Sequence, residues 1–598
     1  MTEGRTTREL EAGDGEREPG AGPAPRLSHP PSAGPGARRR WRLRNGDRTE
    51  ALRASGYPPL VQRLLANRGI STIAEARAFL EGASHGLPDP FSLPDMASAV
   101  ERVTAALRAD ELVAVFGDFD VDGVTAAALL TEGLAGLGAR TVTYLPDRFR
   151  EGYGLNVGAV EELRRQGASL LITADCGTSS LPEIEFARGL GMDVVVLDHH
   201  TAPERLPAAS ALVNPRLAQY DGPYGELAAV GVAYLLMRAL HDALGQPLEA
   251  ERWLDLVALG TVVDMAPLVA ENRELVQRGL RALSRAERPG LRALVAAAGI
   301  ESAAVDSDAL SFGLGPRLNA AGRISHARLA YDLLVARDEN TAVELARHLN
   351  ELNRERQRQT ETAFELAYQL VAAEDREARL VMLGHPSFSA GIVGLVAARL
   401  AEEMYRPAVI YEQGDTTSRA SARSVPEFDI VGALRSCGGL FQRFGGHRQA
   451  AGFTAANERL PEIKSSLQAH AASALADVEL APTLNVDAVF PLRALGGEEI
   501  RWLARFAPYG IGNPRPVLLS RDVTLAEARP VGAAGAGHFR MKLRDGPLVW
   551  PAIAFGLKEA GLESGLRIDV VYSVAPDRAG EGQLELRVED LAPVANAC

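Results

Sequence analysis

The sequence predicts a doubly wound α/β domain, a second and smaller α/β domain joined to it by a long helix, and a C-terminal β-barrel. Three observations carry this reading. Between residues 112 and 197 four short apolar runs alternate with helical stretches, the pattern of a parallel sheet covered on both faces. Residues 341–374 keep helical periodicity without a proline or a glycine. From about residue 480 the texture changes to short alternating segments separated by Gly, Pro and Asp, which suits a small barrel.

Taken in order, residues 1–45 are rich in Gly, Pro, Arg and Glu. They hold too few aliphatic side chains to offset ordering entropy, so a disordered tail is expected. Within it Arg38–Arg44 (RRRWRLR) reads as a solvated basic segment, or as an arm that touches nucleic acid. The first α/β domain is expected over 46–300. It opens with amphipathic helices, since LVQRLLANRG and SAVERVTAALRAD place apolar residues at i, i+3 and i+4. The alternation follows: strand 112–116, helix 123–137, strand 141–145, a helix closing at Gly167, then strands 170–174 and 193–197. A connector over 301–375 contains the long helix, about 50 Å at 1.5 Å per residue, as a strut. The second α/β domain, 376–475, is read from strand 379–384, helix 391–404, strand 407–411 and the glycine-rich FGGHRQAAGF. The barrel takes 476–598, with LNVDAVF, HFRMKLRD, RIDVVYSV and QLELRVEDL as strands.

Bulk properties narrow the class. A composition 46% hydrophobic and 24% charged is that of an ordinary globular protein. No apolar run reaches the roughly 18 residues that a membrane span needs, and no leader-like segment opens the chain. Three cysteines cannot staple a fold of this length, so a reducing cytoplasm is the expected compartment. A net charge of −13 argues against a surface coated for nucleic acid, although a local basic channel can operate on an acidic protein.

The candidate chemistry sits where strands end. Asp118, Asp120 and Asp122 follow LVAVFG, Asp175 follows LLITA, His199 and His200 follow DVVVLD, and Asp264 closes the strand-like run LGTVV. Three aspartates on alternate positions repel one another unless a cation offsets them. Carboxylates with a minority of imidazoles, and no thiolate set, suit Mn²⁺ or Mg²⁺ better than structural zinc. Six or seven candidates exceed what one ion needs, which points to two ions bridged by a carboxylate, as in phosphoester hydrolysis. Each piece alone also has an ordinary reading: DxD as an Asx-type cap, His-His as packing, Cys176 as an inert small residue. It is the joint pattern that favours a metal site.

GDFDVDG together with LDHH resembles the DHH phosphoesterase superfamily, and GGHRQAAG resembles the glycine-rich segment of the associated DHHA1 domain. With the C-terminal barrel, the phrases FREGYGLN, GPRLNAAGRI and FAPYGIGNPRPV narrow the resemblance to the RecJ family of single-strand-specific 5′→3′ DNA exonucleases, over about residues 50–595. The resemblance implies a DHH domain, a DHHA1 domain and an OB-fold barrel. It also implies one metal held by Asp120 and a second by Asp122, His199 and Asp264, with Asp175 bridging. His200 would face the scissile phosphate. Many members carry a histidine four residues before the first metal aspartate; here that place is Phe116, and Asp118 is the compensating candidate. Such a pair would lower the pKa of a bound water and offset charge in the transition state, with no protein nucleophile.

For the 5′ end, the resemblance points to Arg148, Arg323, Ser421 and Arg423 as a phosphate pocket, with forked guanidinium donors. Each Arg taken alone could equally be a surface ion pair. His447, flanked by Gly445 and Gly446, fits a backbone brought close to a nucleotide. Phe388-Ser389 stands where the family often has Trp-His, a departure that bears on substrate contacts in the second domain. An OB-fold would grip single strands through Tyr509, Phe539, Arg540, Lys542 and Arg544, although aromatics in a small barrel are more often core. The implied function is two-metal hydrolysis of single-stranded DNA in repair and recombination, by a monomer working with a helicase and a single-strand-binding protein, without a membrane. Two alternatives stand beside it. One is a DHH-type phosphodiesterase on short oligonucleotides, against which the barrel speaks. The other is a non-catalytic single-strand-binding scaffold, against which the retained ligands speak.

Overall fold

Five parallel strands form the central sheet of the first domain, in the order Arg140–Tyr144, Leu112–Gly117, Ala168–Ala174, Asp193–Leu197, Ala211–Val213. The computed structural model describes residues 39–46, 48–82, 86–249, 251–374, 378–532, 537–557, 562–577 and 584–594. Alternate strand residues enter two separate cores, as a doubly wound sheet requires. Val113, Val115, Leu170 and Ile172 pack under helices that include Met96–Arg108, Val121–Gly136 and Ala229–Ala243. Ala114, Phe116, Leu171 and Val194 pack on the other face against Val160, Leu163 and Ile184. The fold class expected from strand alternation is the one observed.

Several boundaries differ. Most of the tail expected over 1–45, residues 1–38, lies outside the described residues, but Arg40–Leu43 is a strand parallel to Thr483–Val486. Trp41 drives this, packing near Val486, Leu519 and Val571 while its Nε1 donates to Asp590 at 2.7 Å. Helices Glu50–Arg53, Pro59–Ala66 and Ile73–Glu81, assigned from sequence to the first domain, share a core with the barrel instead. Leu52, Leu64 and Leu65 meet Leu492, Phe506, Leu518 and Val570 there. The reason is that helices from Met96 onward already cover the sheet, so the stripe of these three finds its complement elsewhere. The connector is not separate either: Leu310, Leu314, Leu318 and Leu333 belong to the core of the first domain.

The helix Glu339–Glu374 runs 36 residues and packs at one end on the first domain, through Ala342, Ala346 and Leu349. Through Phe364, Ala367 and Val371 it meets the second domain. That domain is a mixed five-stranded sheet, and FGGHRQAAGF forms its edge hairpin, Arg443–His447 against Ala450–Ala456. The barrel closes through five strands, because Leu518–Val531 pairs with both His538–Asp545 and Arg567–Pro576. Cys176 and Cys437 are free and buried, and Cys598 lies outside the described residues. Among the described residues no helix is long and apolar enough to cross a membrane.

Candidate metal centre and end pocket

The chain leaves Leu112–Gly117 for the strand on one side and later returns as Ala168–Ala174 on the other. Loops diverge at such a switch point and open a crevice at the strand carboxyl ends. Asp118, Asp120 and Asp175 stand there. Asp120 is the N-cap of Val121–Gly136, its Oδ1 accepting the N–H groups of Asp122 at 3.0 Å and Gly123 at 3.2 Å. Capping uses one oxygen, which leaves the other available to a ligand role. Gly123 allows the tight start, since a Cβ there would fall 2.5 Å from the Asp118 nitrogen.

Asp122 turns the other way. Its Oδ2 and Oδ1 accept the N–H groups of Ala229 at 2.7 Å and Val230 at 2.9 Å, in the first turn of Ala229–Ala243. The positive end of that helix favours a carboxylate and fixes its direction. Asp175 has φ 67°, a left-handed conformation that costs a non-glycine residue on the order of 1 kcal/mol and is typical of functional turns. Asp264 caps the C-terminus of the helix Leu254–Val263, which corrects the strand-like reading of LGTVV. The apolar residues of that run are buried all round a helix, and such a run has no periodicity to separate it from a strand.

His199 joins these pieces. Its Nε2 lies 3.2 Å from Asp175 Oδ1, 3.7 Å from Asp122 Oδ2 and 3.8 Å from Asp264 Oδ2. Ligand atoms of Asp122, His199 and Asp264 fall within 4.8 Å of one another, and so do those of Asp118, Asp120 and Asp175. The His199–Asp175 contact makes the two groups neighbours. Phe116 is fully buried and stacked on Tyr144 at 5.6 Å, so it belongs to the core, while Asp118 reaches the cluster.

Electrostatics indicate what the cluster is suited to hold. Burial, and then Asp120, raises the Asp118 carboxyl well above its usual range and pushes Asp122 up to about 7. Burial followed by Asp120 and Asp122 raises Asp175, and burial with Asp122 and Asp120 pushes Asp264 up to about 9. Asp118 Oδ1 is buried with no hydrogen-bond partner among the described residues. A buried group of acids that cannot all ionise, with an orphan oxygen among them, fits divalent cations. The donor set, carboxylates plus one imidazole, fits Mn²⁺ or Mg²⁺.

Asp198, which sequence reasoning left out of the site, is the hinge behind His200. Its Oδ1 accepts the N–H groups of His199 at 2.7 Å and His200 at 3.1 Å and lies 2.8 Å from His200 Nδ1. Its Oδ2 accepts the Thr178 N–H at 2.9 Å. Asn214 Nδ2 donates to the His200 carbonyl and to Thr178 Oγ1, both at 2.9 Å. Burial opposes charge on His200, but the Asp198 hydrogen bond and charge outweigh it and push His200 up to about 9. Burial prevails on His199, lowering it to about 4 with help from His200. One histidine is therefore neutral and able to donate to a metal, and its neighbour is a cation at neutral pH. Tyr153, a further omission, places its hydroxyl 3.2 Å from the Asp175 carbonyl oxygen and 3.2 Å from His200 Nε2.

Beside this centre lies a pocket of guanidinium groups. Burial, then Arg148, Arg356 and Arg423, lowers Arg323 to about 9. Burial and Arg148 likewise lower Arg423, whose Nη1 donates to Ser421 Oγ at 3.1 Å. Arg148 lies 4.6 Å over the Phe119 ring, and Arg323 Nη1 donates to the Gly391 carbonyl at 3.3 Å. Buried cations that depress one another mark a site built for an anion. Arg356, on the long helix, is not legible from sequence because it stands in a run that reads as a solvated charged face; its Nε is buried without a partner among the described residues. Gly445, Gly446 and His447 do not join the cluster. They lie on the exposed edge strand, with Gly445 in register with Gly452 and Gly452 with Ser421. Phe388 is buried, and Ser389 Oγ accepts the Gly391 N–H at 3.3 Å, so this pair shapes the turn above the pocket.

In the barrel, Tyr509 faces inward, its hydroxyl donating to the Leu503 carbonyl at 2.6 Å with Arg515 4.4 Å over its ring. Phe539 packs on the barrel core. Arg540, Lys542 and Arg544 share one outward face of their strand.

Three family models match the chain: the N-terminal domain of the DHH family over 112–261, the DHHA1 domain over 376–473 and the RecJ OB domain over 486–590. The single-stranded-DNA-specific exonuclease RecJ of Bacillus subtilis is 34% identical over 542 residues, 89% of this chain and 68% of that one. Its namesake from Escherichia coli is 33% identical over 583 residues, 92% of this chain and 99% of that one. The crystal structure of RecJ in complex with Mn²⁺ from Thermus thermophilus aligns with a TM-score of 0.78 at 30% identity, covering 93% of this chain and 80% of that one.

Proposed function

Because the chain belongs to the RecJ family of single-stranded-DNA-specific exonucleases, we propose that it degrades single-stranded DNA from the 5′ end by two-metal hydrolysis, with Asp118, Asp120, Asp122, Asp175, His199 and Asp264 as the ligand set. It is a metal-dependent exodeoxyribonuclease that uses Mn²⁺ or Mg²⁺ and acts on single-stranded DNA. One observation carries the finer reading: the acid–histidine cluster at the switch point adjoins a guanidinium pocket that receives groups from the first domain, the long helix and the second domain. Bound there, divalent ions would supply positive charge opposite the scissile phosphate and a lowered pKa for the attacking water.

The protein groups divide the remaining work. The carboxylates orient by their backbone anchors, Asp122 at the helix Ala229–Ala243 and Asp120 at its own. His200, protonated and held at Nδ1 by Asp198, presents its other N–H to a phosphate oxygen. Arg148, Arg323 and Arg423, with Ser421, hold the terminal phosphate, which sets the scissile bond at a fixed distance from the end. The space between the two α/β domains, spanned by Glu339–Glu374, would admit one strand. In the cytoplasm, repair and recombination would use such a monomer, with a helicase supplying single strands and a single-strand-binding protein presenting them.

Digestion of strands labelled at either end, in Mn²⁺ and with a duplex control, tests this directly. Loss of the 5′ label as mononucleotide, with the duplex spared, is expected; release from the 3′ end would sink the polarity. Arg323→Ala should reduce the preference for a 5′-phosphorylated over a 5′-hydroxyl strand about tenfold, as removing one charge-assisted hydrogen bond in a buried site does. Substituting Arg540, Lys542 and Arg544 together by Ala should lower affinity for long strands and reduce the salt slope by about 1 for each phosphate that is no longer neutralised, while short oligomers are cleaved as before. An unchanged salt slope would remove that face from the strand path.

A further inference from the structure

The loop 145–156, which joins the strand Arg140–Tyr144 to the helix Val157–Arg165, carries two of the groups placed at the site, Arg148 and Tyr153. Its conformation converges on one carboxylate that plays no part in the chemistry above. Glu151 Oε2 accepts the Asp147 N–H at 2.6 Å, and Oε1 accepts the Tyr144 hydroxyl at 2.7 Å and Asn156 Nδ2 at 3.0 Å. Those three donors come from the last residue of the strand, the start of the loop and the N-cap of the next helix. Tyr144 is itself stacked on Phe116 in the core, and Asn156 Oδ1 caps its helix through Ala159 at 2.8 Å.

We propose that Glu151 is a positioning residue that sets end specificity, by holding the Arg148 and Tyr153 loop as one rigid unit against the metal centre. Asp147 tightens the same turn, its Oδ1 accepting the N–H groups of Phe149 at 2.8 Å and Arg150 at 3.1 Å. Tyr153 stands between two glycines with positive φ, Gly152 at 83° and Gly154 at 84°. Such a segment has little rigidity of its own, and the side-chain tie at Glu151 is what joins its turn, closed by the Glu151 N–H on the Asp147 carbonyl at 2.8 Å, to the strand and the next helix. On its outer side the loop meets the second domain, where Arg419 Nη1 donates to the Phe149 carbonyl at 3.0 Å. A shift of the loop would move Arg148 relative to Arg323 and Arg423 and loosen the grip on the terminal phosphate. Displacements of about 1 Å in positioning groups cost up to about 100-fold in rate.

The proposal rests on Arg148 as an end-pocket group, and the test separates the two. Glu151→Gln puts an N–H donor against either the Asp147 N–H or the Tyr144 and Asn156 donors, at nearly unchanged volume. Steady-state kinetics on matched 5′-phosphate and 5′-hydroxyl strands would be measured for the full chain, Glu151→Gln, Tyr144→Phe and Arg148→Ala, with Mn²⁺ titration and melting temperature alongside. For Glu151→Gln the expected result is about a tenfold loss of the 5′-phosphate preference, seen mainly in KM, with Mn²⁺ affinity and melting temperature near wild type. Tyr144→Phe, which removes one of three donors and keeps the stacked ring, should give a smaller loss of the same kind. If Arg148→Ala lowers the preference and Glu151→Gln does not, the positioning role is overturned. If Arg148→Ala leaves the preference intact, the end-pocket reading itself falls. A fall in melting temperature with equal losses on both strands would make Glu151 purely structural and overturn the proposal.

Discussion

Asp175→Asn is expected to lower kcat on single-stranded DNA by at least about 10³-fold while leaving the affinity for strands within a few-fold of wild type. Asparagine is the right replacement because position 175 has φ 67°, which Asn tolerates better than Ala, so the backbone should stay in place. Asp175 Oδ1 is within 3.2 Å of His199 Nε2, and the residue shares a cluster with Asp118 and Asp120, so its charge faces both candidate ion positions. In the proposed function substrate contacts come from other groups, chiefly Arg148, Arg323 and Arg423, so binding should survive. In chelator the variant should be more stable than wild type, since it removes one of the buried acids that repel one another. Turnover within about tenfold of wild type would take Asp175 out of the bridging role. A large loss of strand affinity with intact folding would mean that the centre binds DNA through this carboxylate's metal more than through the guanidinium groups.

How far the site could be read from residues alone depended on how local each cause is. Asp118, Asp120, Asp175 and His199 each follow an apolar strand within a few residues, and a strand end is visible as an abrupt change of pattern. Asp264 is legible as an acid closing an apolar run, but its element reads wrongly as a strand, because Leu254–Val263 is apolar on nearly every side. Asp198 and Asn214 act through the direction of their side-chain oxygens and nitrogens, which turn geometry sets and spacing does not. Arg356 and Glu151 were invisible for a related reason. One sits among charges that read as a solvated helix face, and the other acquires its role only when Tyr144, Asp147 and Asn156 converge on it. The helices over 50–81 show the same limit at the level of domains. An amphipathic stripe announces that it will be covered, and only the tertiary fold decides that Leu492 and Phe506 of the barrel cover it.

The second large effect concerns metal and protons together. In chelator, stability should fall as pH rises from 7 to 9, and saturating Mn²⁺ should remove the part of that fall that comes from the buried acids. The ordinary value for an Asp carboxyl is 3.8, and folding raises Asp122 to about 7, so that its share of the decline ends where this window opens, and Asp264 to about 9, so that its share runs through it. His200 is raised from 6.5 to about 9. For groups raised by folding, the native state holds protons that the unfolded chain has lost, so stability declines until pH passes the folded value. His199 has the opposite sign, lowered from 6.5 to about 4, but its contribution is complete below pH 7 and does not mask the window. Each proton held only by the native state adds about 1.4 kcal/mol per pH unit to the decline. Divalent ions would replace the protons of the buried acids, though not that of His200, and binding at 100 times Kd adds about 2.7 kcal/mol of stability. Thermal melts from pH 7 to 9 with chelator or Mn²⁺ would show two diverging curves, the metal-free one descending. Asp264→Asn, which cannot titrate, should flatten the metal-free curve and lose much of the response to Mn²⁺. Parallel curves for the two conditions would mean that the buried acids are not where the metal binds.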